Sequence, residues 1–264
     1  YPPLEEIYKS TTEVFLVMEY AEGGELFDRI VDRGAYTERE AAEVMFRLLT
    51  ALHYLHSHSI IHRDIKPENI LLASKNNDVD IKLSDFGVVK IFDLAQSEGT
   101  DSGGGGADMR SRGRAFSQCG SGMYIAPEVV RGQGYDQSAD LWSVGTVLYI
   151  LLCGFAPFPD YAEQDYESCE SSGELSFPDE QWKGISAEAK ELLTNLLTRH
   201  PAERLSAKEA LMHPWINERF VAASLEPLCP LHYKLNMHDF NAKRKFSASS
   251  LGSSMTEGTD LWRR

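Results

Sequence analysis

HRDIKPEN, residues 62–69, is the stretch that decides how this chain folds, and the rest of the sequence is interpreted outward from it. Two shorter signals follow in order: Asp-Phe-Gly at 85–87 and Ala-Pro-Glu at 126–128. An eight-residue stretch this specific, followed by two more motifs in fixed order, is not a chance pattern in one chain. The sequence therefore predicts that this charged stretch forms the centre of a functional site.

The composition predicts one large globular domain with a tail. The chain has 264 residues, of which 42% are hydrophobic and 25% charged, and its net charge is -14. That charge argues against nucleic acid or an anionic membrane surface as a partner and favours basic peptides. The four cysteines lack metal-ligand spacing, which indicates reduced thiols and a cytoplasmic or nuclear location. The first residues lack the features of a secretion signal.

Several segments give clear secondary-structure signals. Residues 13–19 (EVFLVME) predict a buried strand. Thr37 and Glu40 have the spacing of a capping box before a helix from about 38 to 57. The apolar run 141–158 is interrupted by glycine and proline and predicts a buried core helix, with no membrane span.

Other segments have little apolar content and predict poor order. These are a glycine-rich insert at 96–118, an acidic stretch at 161–173 and the serine-rich end at 247–264. A second capping-box spacing, Ser206 and Glu209, predicts another helix late in the chain.

With these motifs the sequence resembles the protein kinase superfamily over about residues 1–218. The resemblance implies an α+β protein-kinase-like fold, mainly the helical C-lobe with the last strands of the small N-lobe. Residues 1–20 would be the N-lobe remnant and hinge, 21–218 the C-lobe, and 219–264 a regulatory tail. The activation segment would be 85–128, with the glycine-rich insert at about 96–116.

The resemblance assigns the chemistry to four side chains. Asp64 would accept or orient the proton of a substrate hydroxyl, and Lys66 would neutralise the transferring phosphate. Asn69 and Asp85 would hold Mg²⁺ through oxygen ligands. ATP and Mg²⁺ are the implied cofactors, and Lys66 together with Glu68 is typical of kinases that act on Ser and Thr.

The resemblance also assigns residues that bind the nucleotide and the protein substrate. Those assigned to ATP are Met18 as gatekeeper, the backbone of Glu19 and Ala21, Leu71 beneath the adenine ring, and Glu25. Those assigned to substrate are Glu25 and Glu68, for a basic side chain before the phosphorylated residue, and the hydroxyl of Ser121. The expected partners are therefore protein substrates with basic residues near the phosphosite.

Regulatory and structural positions follow in the same way. Arg63 would pair with a phosphate on Ser117 in the activation segment. Asp140 would fix the backbone of the catalytic loop, and Glu128 with Arg204 would form a buried ion pair.

The tail resembles the segment that follows the catalytic domain in the calcium/calmodulin-dependent kinase group. Residues 232–252 contain LNMHDFNAKRKFSASS, a basic stretch with spaced aromatics of the kind that calmodulin binds. Arg244 stands three residues before Ser247, so a pseudosubstrate or a phosphosite is an alternative. By base rate, the basic run 243–245 is simply a solvated face.

Two elements of an active kinase are not found in the sequence. Upstream of Asp64 the only lysine is Lys9, and no glycine-rich loop is present. We therefore expect these 264 residues alone to bind ATP weakly and to transfer phosphate at a negligible rate. Two hypotheses stay open: a piece of a calcium/calmodulin-regulated kinase, or a truncated pseudokinase that acts as a scaffold.

Overall fold

The computed structural model of the chain describes residues 2–34, 36–92, 122–158, 175–219, 223–228 and 230–252. Its strands are β1 (Leu4–Lys9), β2 (Val14–Met18), β3 (Gly24–Glu25), β4 (Ile60–Ile61), β5 (Ile70–Leu72), β6 (Ile81–Leu83) and β7 (Lys90–Ile91). Its helices are α1 (Leu26–Arg33), α2 (Glu38–Ser57), α3 (Pro127–Val130), α4 (Ser138–Cys153), α5 (Asp179–Trp182), α6 (Ala187–Leu196), α7 (Ala207–Met212), α8 (Pro214–Asn217) and α9 (Pro230–Gly252).

Helix α2 begins where the sequence predicts. The Thr37 hydroxyl accepts the Glu40 backbone N–H at 3.1 Å, and the Glu40 carboxylate accepts the Thr37 N–H at 2.8 Å. This reciprocal capping box satisfies two backbone donors that the first turn of a helix leaves unpaired. The second predicted capping box, at Ser206 and Glu209, likewise opens α7. Both expectations are confirmed.

Helix α4 is the centre of the core. Every side chain from Ala139 to Cys153 is buried, which explains why the sequence there has no polar face. Gly154 ends the helix in the left-handed conformation, with φ of 85°, a backbone shape that glycine adopts without steric cost. The predicted core helix is confirmed. Within the described ranges, no helix combines the length and the apolar character needed to cross a membrane.

Within the described ranges the strands form three small antiparallel sheets, in the orders β1-β2, β3-β5-β6 and β4-β7. The catalytic-loop motif lies between β4 and β5, and Asp85 comes two residues after the end of β6. In the second sheet, Leu71 of β5 pairs with Glu25 of β3 on one side and with Lys82 of β6 on the other. The sheet therefore brings the segment that follows β2 close to the strand that precedes Asp85. The mixed helix and strand content agrees with the α+β class.

The hairpin of β1 and β2 departs from expectation. The strand is present, but every residue of Val14–Met18 is exposed, so the prediction of a buried strand is wrong. Apolar side chains such as Phe15 and Leu16 face solvent because none of the described elements packs on either face of the hairpin. The continuous apolar run VFLVM is typical of a strand that is buried on both faces, and none of the described elements covers it.

The tail forms a long helix, α9, that lies on the domain. Tyr233 and Met237 are buried, the Tyr233 hydroxyl donates to the Leu151 carbonyl at 2.9 Å, and the Asn236 amide donates to the Cys153 carbonyl at 3.1 Å. The backbone helix continues through Gly252, and residues 253–264 of the segment predicted to be poorly ordered lie outside the described residues. The predicted low-order segments 96–118 and 161–173 lie outside the described residues.

Candidate active site

The catalytic loop brings three predicted side chains together. The Lys66 Nζ atom lies 2.7 Å from the Asp64 Oδ2 atom. The Asn69 amide nitrogen donates to the Asp64 carbonyl at 2.7 Å and to its Oδ2 atom at 3.1 Å. A carboxylate held by a cation and an amide keeps a fixed direction, which is the requirement for orienting a hydroxyl.

A buried carboxylate from α4 fixes the backbone of this loop. Asp140 accepts the backbone N–H of His62 at 2.9 Å and that of Arg63 at 2.8 Å. Arg63 has φ of 71°, a left-handed backbone that is unfavourable for a residue with a Cβ atom. The two hydrogen bonds hold this conformation, and with it the position of Asp64. Asp140 also lies 2.9 Å from His56 Nε2, a contact between residues 84 positions apart.

His62 connects the loop to the Asp-Phe-Gly motif. Its Nδ1 atom accepts the Asp64 N–H at 3.3 Å and its Nε2 atom lies 3.1 Å from the Ser84 carbonyl, which fixes one neutral tautomer with the proton on Nε2. Burial is the main reason why the pKa of His62 lies below its ordinary value. The ring also meets Phe86 edge to face, with centroids 5.2 Å apart. The motif therefore lies against the catalytic loop.

The residues proposed for Mg²⁺ have the right donor set. Because both hydrogen bonds of Asn69 to Asp64 use the amide nitrogen, its amide oxygen is the atom left for a metal. Asp85 is exposed and has φ of 58°, and its Oδ1 atom accepts the Gly87 N–H at 3.1 Å. A carboxylate and an amide oxygen beside solvent suit a cation that keeps several of its waters. The two residues fit the ion.

Arg63 reaches the start of the activation segment. Its guanidinium donates to the carbonyls of Val88 and Val89 and lies 3.3 Å from the Tyr135 hydroxyl. A cation at this place holds the chain just after the Asp-Phe-Gly motif. Its expected partner Ser117 and the substrate-facing Ser121 lie outside the described residues.

The expected nucleotide residues occupy one edge of the domain. Met18 ends β2 and is 52% exposed, Ala21 is buried in the turn that follows, and Leu71 is half-buried in β5. Glu19 forms an ion pair with Lys82 of β6. That contact joins the segment after β2 to the strand that precedes Asp85, and the sequence alone did not reveal it.

The residues assigned to a substrate cation hold a cation of the chain itself. Arg244 of α9 lies with Nη1 2.7 Å from Glu25 Oε2 and 3.3 Å from Glu68 Oε1, and with Nη2 3.6 Å from Asp28 Oδ1. We call Glu25, Asp28 and Glu68 the acidic cluster. The Arg244 side chain is only 6% exposed, so the cluster encloses it almost completely.

Asp28 is a member of the cluster that sequence reasoning missed. It accepts the Asn241 amide at 2.9 Å and the Lys245 ammonium at 2.7 Å. Partial burial works against the charged form, but hydrogen bonds from Lys245 and Asn241 outweigh it and lower the pKa of Asp28. The sequence signal that could have identified Asp28 is its position three residues after Glu25, a spacing that places two side chains on the same side of a helical turn.

The predicted ion pair far from the loop is present. Arg204 binds Glu128 with two bonds of 2.7 and 3.0 Å, and both side chains are buried. Arg204 also donates to the Thr198 carbonyl at 3.0 Å and stacks over Trp142. The pair anchors the end of the activation segment to the helical core.

Comparison with known proteins agrees with this geometry. Residues 3–216 match the family model described as protein kinase domain. The chain is 41% identical to myosin light chain kinase A of Dictyostelium discoideum over 218 residues, which cover 81% of this chain and 66% of that protein. It is 38% identical to calcium/calmodulin-dependent protein kinase type IV of Rattus norvegicus, in an alignment that covers 98% of this chain and 52% of the relative.

A catalytic carboxylate held by lysine and asparagine, with a second carboxylate after β6, defines the class: the chain belongs to the protein kinase family. Within that family it groups with the Ser/Thr kinases of the calcium/calmodulin-dependent type, as the resemblance implied; the human type IV relative is 39% identical and covers 93% of the chain. The chain spans between about half and two thirds of the length of these relatives, 48% to 66%.

Proposed function

We propose that this protein transfers the γ-phosphate of ATP to Ser or Thr in proteins that carry an Arg three residues before the acceptor, and that α9 blocks this activity. The enclosure of Arg244 by Glu25 and Glu68 is the observation that carries the proposal. A side chain of the tail occupies the cluster that the family resemblance assigns to substrate, so tail and substrate compete for one place.

The residues of the loop support this reaction. Asp64 takes the proton of the attacking hydroxyl, and Lys66, 2.7 Å away, carries the charge that the transferring phosphate requires. Asn69 and Asp85 would hold Mg²⁺, which neutralises charge on the phosphates when bound. Asp140 and His62 position the loop and touch no substrate.

Phosphate transfer to a pair of peptides tests the proposal. The full-length protein is assayed with a peptide that has Arg three residues before its only Ser, and with the same peptide carrying Ala there. We expect kcat/KM to fall about 30-fold or more without the Arg, because two carboxylates lose a charge-assisted partner. Equal rates for both peptides would refute the specificity.

Asp64→Asn tests the site itself. The amide keeps the shape of the carboxylate but removes the proton acceptor, and we expect transfer to fall by a factor of about 100 to 10,000. Asp32→Asn is the control, since Asp32 is exposed on α1 away from the loop. Activity that survives in Asp64→Asn at the control level would overturn the assignment.

We also propose that calcium-loaded calmodulin binds residues 232–252 and lifts the tail. The support is the basic, aromatic sequence of the tail together with the position of its contacts: Phe240 lies 6.2 Å from the Phe27 ring, on the docked side of α9. A partner that encloses the apolar face of the helix removes it from the domain. Arg244→Gln should raise peptide phosphorylation without calmodulin, while His238→Gln, at a largely exposed position of the same helix, should not.

A second candidate function is a scaffold without catalysis, the alternative that the sequence analysis left open. Under this reading the 264 residues bind ATP weakly and transfer no phosphate. Titration of ATP and Mg²⁺ against the full-length protein separates the two candidates. Saturable binding with transfer supports the kinase, and absence of both supports the scaffold.

Regulation through the activation segment is a further part of the proposal. A phosphate on Ser117 would pair with Arg63, whose guanidinium already lies at the carbonyls of Val88 and Val89. Ser117→Ala should then lower activity in the phosphorylated enzyme and leave the unphosphorylated enzyme unchanged.

A further inference from the structure

We propose that Lys82 is a positioning residue for ATP, and that its ion pair with Glu19 sets the width of the slot for the adenine ring. The inference rests on the proposed function, since it concerns the nucleotide of that same reaction. It adds a residue of β6 that lies outside the catalytic-loop and Asp-Phe-Gly motifs. Lys82 acts through Glu19 and does not itself touch the nucleotide.

The segment that follows β2 is tied to the second sheet at two places, and the first is Gly23. Its backbone N–H donates to the Leu72 carbonyl at 3.1 Å. A Cβ atom on Gly23 would overlap the side chain and the carbonyl of Leu72, so the segment passes β5 at a distance that only glycine allows. Backbone contacts therefore fix this end of the segment against β5.

The ion pair between Lys82 and Glu19 is the second tie. The Lys82 side chain is 20% exposed and that of Glu19 is 39% exposed, so the pair is partly shielded from solvent. The Glu19 backbone N–H also donates to the Pro3 carbonyl at 3.0 Å. Glu19 therefore joins the start of the β1–β2 hairpin to β6. Because both strands of the hairpin are exposed, packing on their faces does not fix this distance, and the ion pair has that role.

Leu71 lies between the two ties. It pairs with Lys82 across β5 and β6, and the resemblance assigns it to the face beneath the adenine ring, with the backbone of Glu19 and Ala21 at the edge of the ring. The gap between Leu71 and this segment is therefore fixed near Gly23 by the backbone and near Glu19 by the ion pair. A gap that is wider by about 0.5–1 Å forfeits a quarter to a half of the contact energy of a flat ring.

The backbone on both sides of the pair favours a net attraction. Many ion pairs of similar exposure contribute nothing measurable, because ordering two long side chains offsets the attraction between the charges. Here both backbones are already held, that of Lys82 by the β5–β6 ladder and that of Glu19 by its hydrogen bond to the Pro3 carbonyl. The entropic cost that remains is that of the two side chains alone.

Nucleotide binding to the full-length protein tests this role without requiring phosphate transfer. The ligands are ATP and inorganic tripolyphosphate, each with Mg²⁺, and the variant is Lys82→Met, which keeps a long side chain and removes its charge. We expect the Kd for ATP to rise about three- to fivefold, the upper range for a partly exposed ion pair. The Kd for tripolyphosphate, which has no base, should stay unchanged. An equal rise for both ligands, or an unchanged Kd for ATP, would overturn the inference.

Steady-state kinetics separates positioning from general damage. In Lys82→Met the KM for ATP should rise about three- to fivefold, while kcat at saturating ATP and the KM for the Arg-containing peptide stay unchanged. Glu19→Lys places two cations side by side and should raise the KM for ATP as well. The charge-reversed pair, Glu19→Lys with Lys82→Glu, restores the attraction and should recover the wild-type value. Glu22→Gln, at an exposed position of the same segment, is the control and should match the wild type.

The outcomes distinguish this inference from the proposed function. Recovery of the KM for ATP in the charge-reversed pair supports the inference, and a pair that stays as impaired as its single variants contradicts it. Transfer to the peptide with the same KM for ATP in wild type and Lys82→Met refutes the inference and leaves the proposed function standing. Absence of both ATP binding and transfer in the wild type refutes both.

Discussion

Replacing Asp140 by Asn should loosen the catalytic loop at a predictable cost. The Oδ2 atom of Asp140 accepts the N–H of His62 and lies 2.9 Å from His56 Nε2, while the Oδ1 atom accepts the N–H of Arg63 at 2.8 Å. Both oxygens therefore face donors. An asparagine has one oxygen and one NH₂ group. In either orientation, its NH₂ group therefore faces the backbone N–H of His62 or that of Arg63, and two donors cannot form a hydrogen bond with each other.

The expected loss of stability follows from the number of hydrogen bonds that the substitution removes. The better orientation loses one hydrogen bond to a charged group, which is worth about 1.5–3 kcal/mol, and leaves a buried donor without a partner. The left-handed Arg63 backbone, with φ of 71°, loses part of what holds it and relaxes. We expect the free energy of unfolding to fall by about 3 kcal/mol, and phosphate transfer to fall with it because Asp64 shifts.

Urea unfolding followed by circular dichroism measures the loss, with Asp136→Asn as the matched control. Asp136 stands before the same helix and its carboxylate accepts a single N–H, from Ser138 at 2.9 Å, which the amide oxygen of Asn accepts as well. We expect the control to change stability by less than about 0.5 kcal/mol. A loss in Asp140→Asn as small as in the control would refute the role of Asp140 in holding the loop.

Three further predictions concern the core, the pH dependence and the tail. Glu128→Gln leaves the buried Arg204 charge without its partner and should cost about 3–5 kcal/mol of stability in urea unfolding; replacing both residues by Met should recover part of that loss. Because burial lowers the pKa of His62 below its ordinary 6.5, the unfolded chain binds that proton more readily, so His62 contributes stability above pH 6.5 that is lost as the pH falls below it. The stability difference between the wild type and His62→Asn should therefore shrink in acid, and a constant difference would contradict the assignment. Gly154→Ala places a Cβ atom 2.6 Å from the nearest α9 side-chain atom at a φ of 85°, whereas Gly184→Ala, at a φ of 90°, meets nothing within 4 Å. We expect Gly184→Ala to lower the free energy of unfolding by about 1–2 kcal/mol through backbone strain alone. Gly154→Ala should lower it by more, and of the two variants it alone should reduce the hydrogen-exchange protection of the α9 amides.

The sequence predicted the elements whose signals are local. The capping boxes at Thr37 and Ser206 define where α2 and α7 begin, because each needs only residues three positions apart. The buried α4 was predictable from an apolar run that ends at Gly154. These features depend on neighbours in the chain and not on the rest of the fold.

The contacts that complete the site join distant positions and left no local signal. His56 pairs with a carboxylate 84 residues away, and its neighbours in sequence offered no partner of that kind. Asp28 meets Lys245 across 217 positions, and only the docking of α9 brings them together. The burial of a strand likewise depends on what covers it, which is why residues 13–19 were predicted correctly as a strand and wrongly as buried.

The hairpin of β1 and β2 has a practical consequence for handling the protein. Its exposed faces carry Leu4, Ile7, Val14 and Leu16, and among the described residues its two strands pair only with each other. Open edges with apolar side chains are templates for pairing with another chain and sites for dyes that fluoresce on hydrophobic surface. The 264-residue chain should therefore self-associate as its concentration rises, and a lysine at Val14 or Leu16 should keep it dispersed without touching the catalytic loop.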